Sequence, residues 1–178
     1  MSAANGGRKS MHKKMWLCGL AATAVILLDQ VVKHWVTTHL ALGETAEFLP
    51  PLVALHRVHN YGAAWSSFSG ARWLLVGVTA VGLAVLCWLL ARAVWHPLGV
   101  WSLTAIIGGG LGNLLDRVRL GYVVDMFDVM FMDFPVFNVA DCFVVCGTIV
   151  GAVYYLWFYE KFDAGRSAGH GADSPNGN

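Results

Sequence analysis

Long apolar stretches alternate with short polar ones along this chain, and the apolar stretches have the length of membrane helices. Three uncharged runs, 73–91, 97–115 and 142–159, approach or reach the roughly 20 residues that span the hydrocarbon core of a bilayer as a helix. A fourth run, 15–28, is shorter but continues through a few polar positions to residue 36. The pattern therefore predicts an all-α membrane protein with four transmembrane helices.

Two polar-flanked segments connect these spans on one side. In the first, 37–71, the stretch 52–58 alternates weakly and contains β-branched residues, which predicts a small sheet at the membrane surface. The second, 118–138, is mostly apolar but carries several aspartates. Its run 129–137 is too short to span, so we expect it to rest on the membrane interface or dip into it.

Composition agrees with a membrane protein. The 178 residues are 57% hydrophobic and 13% charged, with a mean hydropathy of +0.57, far from the composition of a soluble domain. A net charge of +1 gives no reason to expect a nucleic-acid partner. The four cysteines all lie in predicted spans without a C-x-x-C motif, which is typical of small buried apolar residues rather than of a disulfide framework or zinc site.

The distribution of basic residues predicts the orientation, because cytoplasmic loops of membrane proteins are enriched in Lys and Arg. We expect a basic cytoplasmic tail over 1–14, a four-span domain over 15–160, and a cytoplasmic, disordered, Gly- and Ser-rich tail over 161–178. Seven basic residues then lie inside: Arg8, Lys9, Lys13, Lys14, Arg92, Lys161 and Arg166.

In this topology the polar residues of the predicted spans gather at the outer membrane face, and reversing the topology would move all of them together. They are Asp29, Gln30 and Lys33 at the outer end of the first span, Asn113, Asp116 and Arg117 at the outer end of the third, and Asn138 and Asp141 at the start of the fourth.

Several of these residues have more than one interpretation. Asp29 and Lys33 are four residues apart on one helix face, which fits a structural ion pair or a substrate contact equally well. Asn60, followed by Gly62, fits either a simple turn or a loop that a ligand approaches closely. His56 and His59 have a spacing seen in metal sites, but no third ligand is near in sequence, so no metal or other cofactor is expected.

The aspartates in the second outer segment and just after it point to chemistry, because ionised carboxylates at membrane depth are costly. Asp125 and Asp141 are predicted to be a catalytic pair, in which one carboxylate accepts a proton from water and the other donates one. Asp141 stands near a helix start, where the helix dipole favours its charged form. Asp128 and Asp133 are the alternative partners and are more simply interpreted as solvated loop carboxylates.

Taken together, five motifs resemble those of the bacterial lipoprotein signal peptidases, also called signal peptidase II. The match runs from about residue 15 to about residue 160, in the family's order. The motifs are DQVVK (29–33), NYGAAWS (60–66), GGGLGNLLDR (108–117), VVD (123–125) and FPVFNVAD (134–141).

The resemblance implies an aspartic endopeptidase of the inner membrane that needs no cofactor. Its expected reaction is the cleavage of diacylglyceryl-modified prolipoproteins immediately before the lipidated cysteine. The resemblance also implies a monomer with a periplasmic active site, a small outer β-cradle, a short interfacial helix from the first outer loop, and sensitivity to the cyclic peptide globomycin. Asp125 and Asp141 match the family's catalytic pair. The positions that match site-supporting or substrate-binding residues are Asp29, Lys33, Asn60, Gly62, Asn113, Asp116, Arg117 and Asn138.

Three other classes fit the residues less well. A transporter or channel would distribute polar residues through the membrane depth, whereas here they gather at one end. An intramembrane serine protease needs a facing serine and histidine, and the spans offer only Ser102 and His34 without a supporting motif. A GxGD-type aspartic protease is disfavoured because neither Asp125 nor Asp141 follows Gly-x-Gly.

Overall fold

A computed structural model of the chain describes residues 2–62, 67–92, 94 and 96–164, with the backbone alone for 2–10. The elements in chain order are α1 (Ser2–His39), β1 (Thr45–Leu49), β2 (Val53–Asn60), α2 (Arg72–Arg92), α3 (Pro97–Arg119), β3 (Val123–Val129), α4 (Val139–Trp157) and the short α5 (Tyr159–Phe162).

The four long helices confirm the predicted spans. Segments Met11–His39, Arg72–Arg92, Pro97–Arg119 and Val139–Trp157 are each long and apolar enough to cross a membrane. Large apolar side chains are exposed along all four, as lipid-facing helices require. Helix α1 begins at Ser2, so it also includes most of the segment 1–14 that was predicted as a separate tail.

Helix α3 lies at the centre of the bundle and contacts the other three long helices. Its glycines allow this close packing, because they have no side chain to keep the neighbouring helices apart. A Cβ at Gly109 would overlap the main-chain oxygen of Ala140 in α4, and one at Gly112 would come within 2.8 Å of the Asp29 carboxylate in α1. The glycine run therefore brings the polar ends of α1, α3 and α4 together.

The sheet is antiparallel, in the order β1-β2-β3. Strand β2 confirms the sheet predicted around 52–58, whereas β3 comes from the second outer segment, where no strand was predicted. Met126 of β3 is fully buried and packs with Val36 and Leu40 near the end of α1. This contact fixes the sheet on the end of the bundle.

The loop after β3, residues 130–138, leads directly to the start of α4. Phe137 pairs with Phe127, and the next residue caps α4, so β3 lies beside the entrance to α4. Contact of 129–137 with the membrane remains a prediction. The interfacial helix expected in the first outer loop is not seen at 40–62 or 67–71, which form strands and turns, and residues 63–66 lie outside the described residues.

The other end of the bundle holds a second buried polar cluster. Asp163, just after α5, is fully buried and accepts hydrogen bonds from the Tyr154 hydroxyl and from the His96 N–H at 3.1 Å. Lys14 donates to the main-chain oxygens of Leu90 and Val94 at 2.7 and 2.8 Å. Residues 161–164 are thus packed against the bundle, and the rest of the tail predicted as disordered, 165–178, lies outside the described residues.

Candidate active site

Asp125 lies in the middle of β3, opposite Val58 of β2, and its side chain is buried. Its two carboxylate oxygens accept hydrogen bonds from different elements. Asn60, the last residue of β2, donates to Oδ2 at 3.0 Å, and Asn138 donates to Oδ1 at 2.6 Å. The strand therefore carries the carboxylate to the start of α4.

Asp141 is the third residue of α4 and forms a capping box with Asn138. The Asn138 N–H donates to Asp141 Oδ2 at 3.1 Å, and the Asp141 N–H donates to Asn138 Oδ1 at 2.9 Å. This reciprocal pair satisfies main-chain donors that a helix start leaves free. The same box fixes Asp141 at the positive end of the helix dipole, where a negative charge is favoured.

Two asparagines connect the carboxylates of Asp125 and Asp141. Asn113 of α3 donates to Asp141 Oδ1 at 2.7 Å and accepts from Asn138 Nδ2 at 3.0 Å, while Asn138 also donates to Asp125. Among the described residues, neither carboxylate has an ion-pair partner within 4.0 Å. The two acids are thus linked through neutral amide donors.

Lys33 forms ion pairs with a different pair of carboxylates. Its ammonium lies 2.9 Å from Asp29, 2.9 Å from Asp116 and 3.0 Å from the side-chain oxygen of Asn113, and it is almost fully buried. Asp29 in turn accepts the N–H of Ala140 at the start of α4 at 2.9 Å. Of the two interpretations of Asp29 and Lys33, the structure supports the structural ion pair, and it adds the orientation of Asn113.

Asp116 has further neighbours that tie the sheet to the helices. Gln30 donates to its Oδ1 at 2.8 Å, and the Val124 N–H of β3 donates to its Oδ2 at 3.3 Å. Gln30 was noted among the polar residues of the first span but not as part of the site. Its position next to Asp29, at the end of an apolar stretch of α1, could have identified it as a site residue.

Arg117 holds the loop that follows β2. Its guanidinium donates to the Gly62 carbonyl at 2.9 Å, and the Gly62 N–H donates to Asn60 Oδ1 at 2.9 Å. The Nε of Arg117 is buried without a hydrogen-bond partner among the described residues. Asn60 and Gly62 therefore act together, while residues 63–66 of the same motif lie outside the described part of the chain.

The surroundings of Asp125 shift its titration. Burial, and secondarily the negative charge of Asp141, raise the pKa of Asp125 to about 6. Hydrogen bonds from Asn138 and Asn60 and the positive charge of Lys33 act in the opposite direction without cancelling the shift. Near neutral pH this carboxyl can both hold and release a proton.

Both carboxylates line one cavity of about 460 Å³. Its polar residues include Asn60, Asn113 and Arg117, which hold or adjoin the two acids. The remaining wall is mainly apolar and comes from the 134–137 loop and from one face of α4. These wall residues include Phe134, Val136, Phe137, Cys142, Val144, Val145 and Cys146.

The remaining candidates lie elsewhere. Asp133 is exposed in the loop, as expected for a solvated loop carboxylate. Asp128 also lies outside the cavity, but it is part of strand β3 and pairs with His56 at 3.3 Å, so the interpretation as a loop residue was wrong for it. His59 stacks on Tyr122 with ring centroids 3.8 Å apart, away from the His56–Asp128 pair. In the described residues no group of three or more His, Cys, Asp or Glu is placed to hold a metal ion.

Comparison with known proteins identifies relatives over most of the chain. Residues 21–158 match the family model described as signal peptidase (SPase) II. A lipoprotein signal peptidase of Lactococcus lactis subsp. cremoris is 46% identical over 125 residues, covering 70% of this chain and 83% of the relative. One from Streptococcus pyogenes is 39% identical over 156 residues, covering 85% of this chain and 99% of the relative.

The fold has solved counterparts as well. A bacterial membrane enzyme determined by the in meso method at 2.3 Å superposes with a TM-score of 0.75 at 30% identity, covering 79% of this chain and 87% of the other. A second structure, at 1.9 Å, gives a TM-score of 0.74 at 30% identity and covers 80% and 94% of the two chains. The likeness thus extends over most of the chain.

Proposed function

This chain belongs to the signal peptidase II family, which makes it a membrane peptidase with prolipoprotein substrates, and we propose that Asp125 and Asp141 perform the cleavage. The bond cut is the one immediately before the diacylglyceryl-modified cysteine. The observation that supports this proposal is the pairing of two buried carboxylates, joined through amide donors, at one cavity.

In the proposed mechanism a water molecule between the two carboxyls is the nucleophile. Asp141, at the positive end of α4, is the ionised base that takes a proton from this water. Asp125, whose pKa is raised to about 6, is the acid that polarises the substrate carbonyl and protonates the leaving amine. No metal ion and no nucleophilic side chain takes part.

The asparagines are positioning residues for this pair. Asn113 and Asn138 hold the two carboxyls relative to each other, and Asn60 holds the second oxygen of Asp125. Lys33 fixes Asn113 while it forms ion pairs with Asp29 and Asp116. Its positive charge thus offsets part of the negative charge that those two acids place beside the reacting pair.

Substrate binding uses the rest of the cavity. The apolar wall from α4 and the 134–137 loop suits an extended segment with apolar side chains or acyl chains, which would otherwise be exposed to water. Arg117 also lines the cavity and can direct a guanidinium donor at a substrate carbonyl. Globomycin, a cyclic peptide, is expected to inhibit by occupying the same cavity, and the enzyme is expected to act as a monomer.

The proposed location follows from the charge distribution. Both termini are cytoplasmic, and the end of the bundle that carries Asp125 and Asp141 faces the periplasm across the inner membrane. The four-span peptidase domain extends over residues 15–160. In this orientation the site meets a prolipoprotein after its signal segment has entered the membrane.

The test is to map the cleavage of a purified prolipoprotein in liposomes. The mature product is expected to begin with the diacylglyceryl-modified cysteine, as identified by mass spectrometry, and cleavage should proceed unchanged in EDTA. The matched control is the same precursor without the lipid. Equal cleavage of the unlipidated precursor, or a different product terminus, would contradict the proposed specificity.

A further inference from the structure

Two cysteines that the proposed mechanism does not use line the cavity of the candidate active site. Cys142 directly follows Asp141 in α4, and its sulfur lies 3.4 Å from the main-chain oxygen of Asn138. Cys146 is one turn further on, so both side chains lie on the cavity-facing side of the helix. The cavity therefore presents two thiols beside its reacting carboxyls.

The position of these thiols determines which class of reagent can reach them. A thiol reacts with electrophiles through its thiolate, which the apolar wall and the neighbouring Asp141 disfavour, so access to the sulfur and the local concentration of the reagent decide whether it reacts. Cys142 is partly exposed and Cys146 is exposed, and the cavity wall around them is mainly apolar. An apolar electrophile that partitions into the membrane is therefore concentrated where these sulfurs lie.

We propose that Cys142 and Cys146 form a modification site for apolar α,β-unsaturated carbonyl compounds, and that an adduct at either cysteine occludes the cavity. The sulfur forms a bond to the β-carbon of the reagent while the π electrons move to the α-carbon. That carbon then takes up one proton, equal to the one that the thiol loses. The addition has no leaving group and requires no oxidant or reductant.

Loss of activity by this route rests on the proposed function, because the adduct must stand in the path of the substrate. A group attached at Cys142 lies next to Asp141, and one attached at Cys146 fills the apolar wall one turn away. Both reduce the space in a cavity of about 460 Å³. The chemical reactivity itself does not depend on the peptidase mechanism.

The chain provides its own reference cysteines. Cys18 is only 4% exposed inside the hydrophobic core, and Cys87 is exposed on α2 but does not line this cavity. The experiment treats the full-length protein in lipid nanodiscs with N-ethylmaleimide and maps the adducts on all four cysteines by peptide mass spectrometry. The Asp125→Asn variant is mapped in parallel, with and without lipidated precursor.

We expect adducts at Cys142 or Cys146 in both proteins, and slower labelling at these positions, but not at Cys87, when the precursor is bound. Cleavage by the wild type and by Cys87→Ala should fall about tenfold or more as the cavity cysteines react. The double variant Cys142→Ala/Cys146→Ala should keep most of its own untreated rate after the same treatment.

Two results would overturn the proposal. One is labelling of Cys87 without labelling of either cavity cysteine, and the other is full labelling of the cavity cysteines with cleavage retained. Failure of the proposed function looks different. In that case the untreated protein would not cleave the precursor, while the adduct map of the Asp125→Asn variant would still decide whether the thiols are accessible.

Discussion

Carboxylates are buried at both ends of this helix bundle, but their surroundings differ. At the dyad end, where α3 ends and α4 begins, Asp125 and Asp141 accept hydrogen bonds from asparagine amides and face a cavity of about 460 Å³. At the opposite end, Asp163 is held by the Tyr154 hydroxyl and the His96 N–H. There the space is filled by the His96 ring, which stacks on Tyr154 of α4 and on Phe158 and lies at an angle to Phe162 of α5.

The comparison shows that burial of an acid does not by itself indicate chemistry. Asp163 joins α4, α5 and the connection before α3, and these contacts leave it enclosed by packed rings. Asp125 and Asp141 differ because two carboxyls lie close together and because open space lies beside them. Those two features, rather than depth, distinguish the reacting pair from the structural acid at the opposite end.

The largest expected effect comes from removing one acid at each end. Asp125→Asn or Asp141→Asn should lower turnover of a lipidated precursor by about 10²- to 10⁴-fold, because proton transfer to or from that carboxyl is lost. Asp163→Asn should retain turnover per folded molecule. Cleavage rates in liposomes, normalised to the folded fraction in a thermal unfolding assay, measure both effects.

Near-wild-type turnover in a folded Asp125→Asn or Asp141→Asn variant would show that the pair is not the reacting group. A loss of turnover in folded Asp163→Asn as large as theirs would remove the distinction between the two ends.

The next effect concerns the cations of the two ends. Lys33→Met leaves the carboxylates of Asp29 and Asp116 buried without their cation, so we expect a loss of stability of about 3–5 kcal/mol. Lys14→Met should cost less, because Lys14 is only half-buried and water can replace part of its interactions. Denaturant-induced unfolding in detergent compares the two, and an equal or larger cost for Lys14→Met would contradict this ranking.

Most of the dyad end was predictable from the sequence because its residues belong to helices. Hydropathy locates the spans, and spacing along a helix places Asp29 beside Lys33. The prediction that polar groups meet at one end needed only the order of the spans. Strand β3 was missed because its VVDMFDV sequence is buried on both faces at Val124, Asp125 and Met126, so no alternation marks it.

The opposite end was much less predictable. Asp163 lies in a polar C-terminal segment that was predicted as a tail, and nothing local indicates that it is buried. Its partner His96 is 67 residues away, and the pairing depends on α5 turning back against the bundle. Long-range contacts of this kind have no periodicity along the chain, so the local sequence could not predict that Asp163 packs against the bundle.

A smaller effect is expected from the hydroxyl that holds Asp163. Tyr154→Phe removes one donor to a fully buried carboxylate and should lower stability by about 1–3 kcal/mol. Turnover per folded molecule should be unchanged, because the substitution lies at the opposite end from the cavity. Thermal unfolding and cleavage are measured on the same preparation, and unchanged stability would show that the hydroxyl does not hold this end together.

The smallest expected effect is a shift in pH dependence. Below about pH 6 Asp125 holds the proton that it donates, and above its pKa both carboxyls are ionised, so kcat/KM should fall about tenfold per pH unit on the alkaline side. The Asn60 hydrogen bond stabilises the ionised form, so Asn60→Ala should raise this pKa and move the falling limb to higher pH.

His56→Ala is the matched control for that shift, because His56 lies on the same strand but contacts Asp128 outside the cavity. The control should leave the falling limb where it is in the wild type. A limb that moves to lower pH in Asn60→Ala would mean that Asn60 favours the protonated carboxyl. Equal shifts in both variants would mean that the limb reports the sheet as a whole and not the acid at the cavity.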